Sequence, residues 1–316
     1  MSAPKVLVSI LNWNAPKNTV KTVNSVLSSD YVKYKIVLLD NNSSDDSVSF
    51  LTQSFPNIKL IKNKANLGYA GAHKIAAKIA VKEKFDFLWI LNNDVTVYNF
   101  TLSEFIKASK RHPDCLLGSV SLMDDGQTIL VGGGKEMINR KIDETQGYNR
   151  FFGKNFFETR IEERPVSDLE GASLLIPVNI IRRHGFMNTR FFLYGEEVDY
   201  CYKLRNLHKI DSIIIPAARI IHKASASFQL SPGLALIKKY YLIRNSLLFQ
   251  KKYQKKNTLK DYRMVTYFIK YFIKHKFKVT SEEKDYGYWE KYYEKLGAFH
   301  ALLGLKGKYF DPQNFM

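Results

Sequence analysis

The sequence has little cysteine and no long apolar run. Its two cysteines, Cys115 and Cys201, lie far apart and match no zinc-ligand spacing, which excludes a disulfide framework and favours a reducing compartment. No stretch approaches the roughly 20 consecutive apolar residues that cross a bilayer. The segment 1–11 has no small-residue cleavage pattern and is typical of a first strand rather than a signal peptide. We therefore expect a cytoplasmic protein whose membrane association, if any, is peripheral.

Acidic residues are few relative to basic ones, and the excess is unevenly placed. The 316 residues carry a formal charge of +18. Between Lys238 and Lys278 there are 13 Lys or Arg and one acidic residue, Asp261, so this stretch alone contributes +12. Such a segment attracts nucleic acid or anionic lipid. With 45% apolar residues, the chain can also bury a substantial core, and one large domain with a basic appendage is predicted.

The first hundred residues alternate short β-rich runs with helical patterns. Strands are predicted at 5–11, 35–39, 59–61 and 85–91, and helices at 18–28, 44–53 and 71–84. This alternation indicates a parallel sheet covered by helices, in which ligands bind beyond the carboxyl ends of the strands. An irregular stretch at 119–166 predicts a long loop. Regular structure resumes with a strand at 173–178, helices at 179–184 and from 197, and a strand at 212–215.

Polar side chains follow three of these strands. Asn12 ends the first, and Asp40 ends the second, where a carboxylate suits hydrogen bonding to a ribose or base. Asp94 follows the fourth and offers an oxygen ligand to Mg²⁺ or Mn²⁺, which need few carboxylates when a diphosphate completes the shell. The alternative is ordinary turn and helix-capping chemistry, with Ser44 or Asp45 as the cap.

A glycine-containing loop precedes the third helix. Its sequence, from Asn66 to Gly71, is NLGYAG, and its glycines permit positive φ or a close backbone approach to a ligand. A turn with no function has the same pattern, so the loop is suggestive rather than specific.

Eight motifs, in order, resemble the family 2 nucleotide-sugar glycosyltransferases of GT-A fold, especially the rhamnosyltransferase-like branch of bacterial polysaccharide assembly. They are VSILNWN, LLDNNSSDDS, NLGYAGAHK, ILNNDV, EGASLLIP, FFLYGEEVDYCYKLR, IIHKASAS and YYLIRNSLLF. The resemblance covers roughly residues 5–251. It implies a Rossmann-like, mostly parallel sheet flanked by helices in a catalytic domain at 1–233. A nucleotide-sugar half would extend to about residue 100 and an acceptor half would follow at 101–233. Residues 234–316 would be a basic, aromatic helical extension.

The resemblance also implies the donor and metal ligands. Asp94 would bind Mn²⁺ or Mg²⁺ bridging the diphosphate, although Asn92 stands where the family often has a second acid. His222 resembles the family's late His that helps to hold the metal or diphosphate, although a lone His is more often structural. The residues assigned to the nucleotide-sugar donor are Asn12, Asp40, Asn42, Asn66, Gly68, Gly71, Asn93, Lys223 and Arg244, and Asn245 is a further candidate contact of the diphosphate.

The catalytic assignment rests on the acidic motif at Glu196, Glu197 and Asp199. By resemblance its second acid, Glu197, would be the general base, at a position where Asp is more usual in the family. An acceptor hydroxyl must lose its proton as it attacks C1, and a nearby carboxylate can take it. A single in-line displacement that inverts the anomeric centre would follow. The alternative is that these acids only favour the dipole at a helix start.

The basic C-terminal part interleaves Lys with large apolar residues at 238–241, 251–253 and 267–274. This pattern is typical of a helix in the bilayer interface, and the family's acceptors are often lipid-linked. We therefore expect a peripheral location on the inner face of the cell membrane. A core-facing helix with a solvated basic side has the same pattern.

Three other functions compete with this interpretation. A nucleic-acid-binding protein leaves the acidic motif unexplained, so no nucleic-acid partner is expected. Another nucleotide-sugar enzyme, such as a nucleotidyltransferase or an NAD-dependent epimerase, is a second alternative, but a dinucleotide site would need G-x-G-x-x-G after the first strand, where the chain has NWNAPK. A catalytically inactive scaffold is compatible with the departures at Asn92 and Glu197. The donor sugar stays open between rhamnose from dTDP-rhamnose and a UDP-linked hexose, and the acceptor between a glycan and a lipid-linked oligosaccharide. The sequence does not predict an oligomeric state.

Overall fold

The structure of the protein, a computed structural model, describes residues 3–135, 137–138, 141–142, 150–223, 231–254 and 286–315. The chain divides into two units. The first comprises Met1–Asn188 with Glu197–Ala226, and the second comprises Thr189–Glu196 with Ser227–Met316. The predicted assignment of one half of the catalytic domain to the donor, the other to the acceptor and the C-terminal region to membrane association stays a prediction.

The first unit begins with a parallel sheet, as the alternating pattern predicts. Its elements are β1 (Val6–Asn12), α1 (Pro16–Leu27), β2 (Tyr34–Asp40), α2 (Ser47–Ser54), β3 (Lys59–Lys62), α3 (Gly68–Lys82) and β4 (Phe87–Asn92). Strand β1 pairs in parallel with β2 and β4, and β2 with β3. In this register Asn12 lies opposite Asp40 and Leu11 opposite Asn92. The polar residues that follow these strands therefore share one edge of the sheet.

The rest of the first unit extends the same sheet. The further elements are β5 (Val95–Val97), α4 (Thr101–Arg111), β6 (Leu116–Leu122), β7 (Ile129–Val131), β8 (Met137–Ile138), β9 (Lys141–Ile142), β10 (Arg164–Val166), β11 (Ser173–Pro177), α5 (Val178–His184), α6 (Glu196–His208) and β12 (Ser212–His222). The order in the main sheet is β10-β12-β6-β11-β4-β1-β2-β3, with β5 paired to β12 and β7 to β6, whereas β8 and β9 form a separate two-stranded sheet. Strand β11 runs antiparallel to both β4 and β6, whereas β12 runs parallel to β6. A mostly parallel half is thus joined to a mixed half.

The expectation of irregular structure from residue 119 is wrong over β6 and β7. Strand β6 is buried along its whole length, but Gly118, Ser119 and Ser121 interrupt the run of apolar residues by which a buried strand is predicted. Gly118 packs tightly against Leu169, because a Cβ there would lie 2.5 Å from Cδ2 of that leucine and would displace its side chain. Tertiary contact therefore decides this strand.

Apolar residues cover both faces of the sheet. Alternate side chains of β4 point to opposite faces, so Leu88 and Ile90 join one core cluster, with residues of α3, α5 and α6. Trp89 and Leu91 join the other, with residues of α1 and α4. The period of two that sends side chains to alternate faces of a strand explains this division. Both clusters leave the strand ends free for polar residues.

Strand β12 is longer than the sequence predicted. It runs to His222 because it shifts register between Ile215 and Arg219, where Pro216 cannot donate to the ladder. Past this irregularity the strand pairs antiparallel with β5, and His222 lies opposite Val95. The irregularity thus lets a single strand continue to the edge that holds Asp94.

The second unit is built on two helices, α7 (Pro232–Gln254) and α8 (Tyr286–Leu302). Gly297 lets them approach closely, since a Cβ there would lie 2.6 Å from the carbonyl oxygen of Tyr240. The hydroxyl of Tyr240 bonds Nδ1 of His300 at 2.8 Å. Within the described part of the chain, no helix is long and apolar enough to cross a membrane. The predicted apolar and basic stripe at 267–274 lies outside the described residues.

Candidate active site

One chain of hydrogen bonds joins the ends of β1, β2 and β4. Asn93 donates from Nδ2 to Oγ1 of Thr19 at 3.1 Å, and Thr19 donates to Oδ1 of Asn12 at 2.7 Å. Asn12 in turn donates to Oδ2 of Asp40 at 2.9 Å. The Asp40 carboxylate also accepts the backbone N–H and the hydroxyl of Ser43 at 3.0 and 2.6 Å. These bonds hold the loop after β2. The buried carboxylate of Asp40 is thus hydrogen-bonded to other residues of the protein.

A second amide network shapes the loop before α3. Nδ2 of Asn41 donates to Oδ1 of Asn66 at 2.8 Å, and Asn63 donates to Oδ1 of Asn41 at 3.1 Å. Asn66 also accepts the N–H of Gly68, whose φ is +70°. Gly71 lies within α3, where a Cβ would meet that of Leu67 at 2.9 Å. The loop is therefore built from buried amides and from two glycines with separate steric roles.

Asp94 meets His222 at the edge of the sheet. Nε2 of His222 lies 3.3 Å from Oδ1 of Asp94, and the N–H of Lys223 donates to the carbonyl oxygen of Asp94 at 3.1 Å. On the other side of the ring, Nδ1 lies 2.8 Å from Oε1 of Glu170. The hydroxyl of Ser121 donates to Oε2 of Glu170. The result is a line of four side chains from β6 to the end of β4.

The charges around His222 set its titration. Burial lowers the pKa of the imidazole, but the carboxylates of Glu170 and Asp94 outweigh it and raise that pKa from 6.5 to about 10. With this pKa the ring carries a proton on both nitrogens at neutral pH, one toward Glu170 and one toward Asp94, so a cation bound at Nε2 would displace the second proton.

These residues fit a divalent cation. Nε2 of His222 is buried and makes no hydrogen bond with any residue that the structure describes. An imidazole whose other nitrogen is bonded to a carboxylate is the usual arrangement of a metal-ligating histidine. Among the described residues, no three His, Cys, Asp or Glu converge on one point. The protein would therefore supply two ligands and leave the remaining positions to diphosphate and water oxygens, as Mg²⁺ requires.

The three acids of the predicted catalytic motif differ in exposure. Glu196 and Asp199 are both 2% exposed, whereas Glu197 is only half-buried. They lie at the start of α6, after Phe192, Tyr194 and Gly195, whose φ values are +69°, +64° and +87°. A base that takes a proton from a bound acceptor must be reachable, and Glu197 meets that condition best among the three.

Two predicted diphosphate ligands have different positions. Lys223 is exposed, follows His222 and lies 3.8 Å from Oδ2 of Asp124. Arg244 is fully buried, and its donors bond the carbonyl oxygens of Phe191 and Gly307. This packing uses the guanidinium within the second unit and argues against a diphosphate contact for Arg244.

Sequence reasoning missed Glu170 and Ser121 as members of the site. Glu170 opens the EGASLLIP motif, but nothing in its spacing connects it with His222, which lies 52 residues later. The link arises because β11 enters the sheet antiparallel beside β4, so the residues before it reach the edge where β4 ends. Ser121 is brought there by β6, which pairs with β12.

Comparison with solved structures identifies the fold class. The chain is similar to a mannosyltransferase from Pyrobaculum calidifontis in complex with GDP-Man and Mn²⁺, with a TM-score of 0.57 and 12% identity over 82% of this chain. It is also similar to GalNAc-T7 with UDP, GalNAc and Mn²⁺, with a TM-score of 0.58 and 14% identity over 96% of this chain. The chain spans 66% and 56% of those two solved chains. The predicted GT-A fold is thereby confirmed.

The family follows from the sequence itself. The profile described as "Glycosyl transferase family 2" matches residues 7–183, more than half of the chain. The protein belongs to this family, which confirms the predicted recognition and the predicted enzyme class, a nucleotide-sugar-dependent glycosyltransferase.

Two curated relatives specify the resemblance further. The N-acetylglucosaminyl-diphospho-decaprenol L-rhamnosyltransferase of Mycobacterium tuberculosis is 25% identical over 215 residues, covering 63% of this chain and 69% of the relative. The UDP-Glc:alpha-D-GlcNAc-diphosphoundecaprenol beta-1,3-glucosyltransferase WfgD of Escherichia coli is 27% identical over 139 residues, covering 43% of this chain and 53% of the relative.

Proposed function

We propose that the protein transfers a sugar from a nucleoside-diphosphate donor to a glycan or lipid-linked acceptor, with inversion of the anomeric centre. The observation that carries this proposal is the placement of Asp94, His222 and Glu170 at the edge where β1, β2 and β4 end. In an open α/β sheet this edge is the ligand-binding one.

Asp94 and His222 would hold Mn²⁺ or Mg²⁺ against the donor diphosphate. The cation supplies Lewis-acid stabilisation of negative charge on the leaving group. Glu170 bonds Nδ1 of His222 and so keeps Nε2 directed at Asp94. Lys223, an exposed residue that follows β12 and whose N–H bonds the carbonyl oxygen of Asp94, would add a positive charge close to the departing nucleoside diphosphate.

Glu197 is assigned as the general base. It is the most exposed of the three acids at the start of α6. Its carboxylate would accept the proton of the attacking hydroxyl. Because one hydroxyl displaces one leaving group from the opposite face of C1, the configuration inverts. The buried Glu196 and Asp199 are then neighbours that hold the helix start.

The relatives favour two donors and one class of acceptor. One relative's name specifies rhamnosyl transfer to N-acetylglucosaminyl-diphospho-decaprenol, and the other's specifies UDP-Glc with GlcNAc-diphosphoundecaprenol. We infer that this protein uses dTDP-rhamnose or a UDP-linked hexose, and that its acceptor is a sugar linked through diphosphate to a long lipid.

The first test is thermal stabilisation by nucleotides. Purified protein would be heated with dTDP, UDP, GDP or CDP, each with and without Mn²⁺ or Mg²⁺, since a ligand that binds the native state raises its stability by mass action. We expect one nucleotide to stabilise the protein only with metal, and Asp94→Asn to abolish that effect. Asp30→Asn, an exposed site before β2, is the matched control and should behave as wild type.

A negative result in that test would favour a different function. If no nucleotide stabilises the protein under any condition, the assigned residues should be withdrawn and an inactive scaffold becomes the better proposal. If the nucleotide binds but no sugar is transferred to lipid-linked GlcNAc, the donor site stands and the acceptor assignment fails.

We further propose a peripheral location on the inner face of the cell membrane, through the second unit. At the end of α8 two leucines, Leu303 and Leu305, are 50% and 41% exposed, and Lys306 beside them is exposed as well. Apolar tips flanked by Lys are attracted to anionic bilayers.

Liposome sedimentation tests this location. We expect the protein to bind vesicles that contain phosphatidylglycerol more strongly than neutral ones, and Leu303→Ser with Leu305→Ser to weaken binding. Leu207→Ser, at a leucine of α6 that is 66% exposed, serves as the control. Equal binding by the wild type, the double variant and the control would show that Leu303 and Leu305 do not contact the membrane.

A further inference from the structure

The backbone before the acidic motif is strained. Phe192 and Tyr194 adopt left-handed φ values of +69° and +64°, a conformation that is unfavourable for a bulky residue, and Gly195 follows at +87°. Such a segment persists only where its surroundings hold it. It leads directly into Glu196, with which α6 begins, so whatever holds it also fixes the backbone immediately before the acidic motif.

One side chain of α7 bonds most of this segment. Nδ2 of Asn245 lies 3.0, 2.6 and 2.8 Å from the carbonyl oxygens of Phe191, Leu193 and Tyr194. Its two protons are therefore shared among three acceptors. Asn245 is 2% exposed, so water cannot replace these bonds without local opening.

Arg244 fixes the orientation of that amide. Its Nε donates to Oδ1 of Asn245 at 2.9 Å, which leaves only Nδ2 to face the carbonyls. The same guanidinium donates to the carbonyl oxygens of Phe191 at 2.9 Å and Gly307 at 2.7 Å. The N–H of Gly307 donates to the carbonyl oxygen of Arg190 at 2.6 Å, which secures the other end of the segment.

We infer that Asn245, oriented by Arg244, is a positioning residue for the catalytic acids: it holds the strained segment 191–195 and so fixes the backbone that leads into Glu196 and the adjacent Glu197. The requirement is for a neutral donor. An aspartate has the same shape but would place a carboxylate against three carbonyl oxygens. The claim that Asn245 positions catalytic acids rests on the proposed function, whereas the claim that it holds residues 191–195 does not.

Two measurements on Asn245→Asp test the inference separately. The first is hydrogen exchange of peptides covering 189–196. Loss of these buried bonds should speed their exchange about 10- to 100-fold, while peptides of α3 stay unchanged. Asn206→Asp is the matched control, because the exposed Asn206 bonds a single carbonyl oxygen, that of Tyr202. Unchanged exchange at 189–196 would overturn the inference.

The second measurement is the rate of transfer at saturating donor. We expect kcat of Asn245→Asp to fall about 10- to 100-fold while the KM for the donor and the nucleotide-induced thermal shift stay at wild-type values. A loss of folding alone would move the thermal midpoint and leave kcat per folded molecule unchanged. Faster exchange with unchanged kcat would therefore reduce Asn245 to a structural role and overturn the inference.

A second variant guards against failure to fold. Gly195→Ala strains the same segment from its other end, because φ there is +87° although the nearest atom to a new Cβ is 3.7 Å away. It should reproduce the fall in kcat although Asn245 itself is unchanged, and wild-type kcat in this variant would count against the inference. If the wild-type protein transfers no sugar, the proposed function fails, and the exchange measurement still decides whether Asn245 holds the segment.

Discussion

Glu170 bonds Nδ1 of His222 at 2.8 Å, and this one contact decides which nitrogen of the imidazole faces the sheet edge. The opposite nitrogen lies 3.3 Å from Oδ1 of Asp94. Glu170 itself is fixed by the hydroxyl of Ser121. The cation site proposed here is therefore oriented from β6 and from the residues before β11, although its two ligands follow β4 and end β12.

Replacing Glu170 by Gln should weaken metal binding without removing a ligand. The amide keeps the shape and one acceptor but loses the negative charge that makes the imidazole more basic. Loss of such a partner typically costs about 10- to 100-fold in metal affinity. Titration of Mn²⁺ in the presence of the stabilising nucleotide would measure it, with the exposed Glu162→Gln as control. Wild-type affinity in Glu170→Gln would mean that His222 is not a ligand.

Replacing Glu197 by Gln should stop transfer while leaving the donor site intact. General-base catalysis contributes about 10²- to 10⁴-fold, so kcat should fall by that factor. The metal-dependent thermal shift should be unchanged. Glu196→Gln is the informative comparison, since Glu196 is buried beside it. If Glu196→Gln loses kcat and Glu197→Gln does not, the base has been assigned to the wrong acid.

The strand ends were predictable from sequence because they depend on local pattern. Buried runs followed by polar residues placed Asn12, Asp40 and Asp94 at the ends of the first, second and fourth strands, and parallel pairing then brings them to one edge. Glu170 was not predictable, because it reaches His222 through the antiparallel insertion of β11. No local periodicity encodes which strand will enter a sheet in reverse.

The position of Arg244 was not predictable from the sequence either. A basic residue in a family motif suggested a diphosphate ligand, but burial and bonding to backbone carbonyls were invisible in the sequence. Likewise β6 was missed because Gly118 and two serines interrupt its apolar pattern, although the whole strand is buried. In both cases the deciding partner lies far away in the chain.

The buried His73 should make stability fall as the pH drops below neutrality. The ring is fully buried with Nδ1 2.9 Å from Oγ of Ser9, and burial lowers its pKa from 6.5 to about 3. Between these values the unfolded chain binds a proton that the folded one does not, so stability is lost as pH falls through 6.5. At pH 5 the loss from this group is about 2 kcal/mol.

A comparison of variants isolates that contribution. His73→Gln removes the titrating group, so its free energy of unfolding should fall about 2 kcal/mol less than that of wild type between pH 7 and pH 5. Urea unfolding at both pH values measures this difference, and every other histidine cancels in it. An equal fall in both proteins would show that His73 is protonated in the folded state.

Gly297→Ala should destabilise the second unit even though alanine is the better helix former. Alanine in place of glycine within a helix gains about 0.5–1 kcal/mol. The new Cβ, however, would lie 2.6 Å from the carbonyl oxygen of Tyr240 and 3.3 Å from the backbone nitrogen of Arg244. Backbone atoms of a packed helix cannot yield as a flexible side chain does, so overpacking of about 1–3 kcal/mol should prevail.

Gly287→Ala is the matched control for that substitution, because Gly287 is exposed near the start of the same helix. Thermal unfolding should show a lower midpoint for Gly297→Ala and a wild-type or higher one for Gly287→Ala. Because Arg244 follows the contact on α7, Gly297→Ala should also speed hydrogen exchange at 189–196. A stabilised Gly297→Ala would mean that α7 and α8 are not packed as closely as the structure has them.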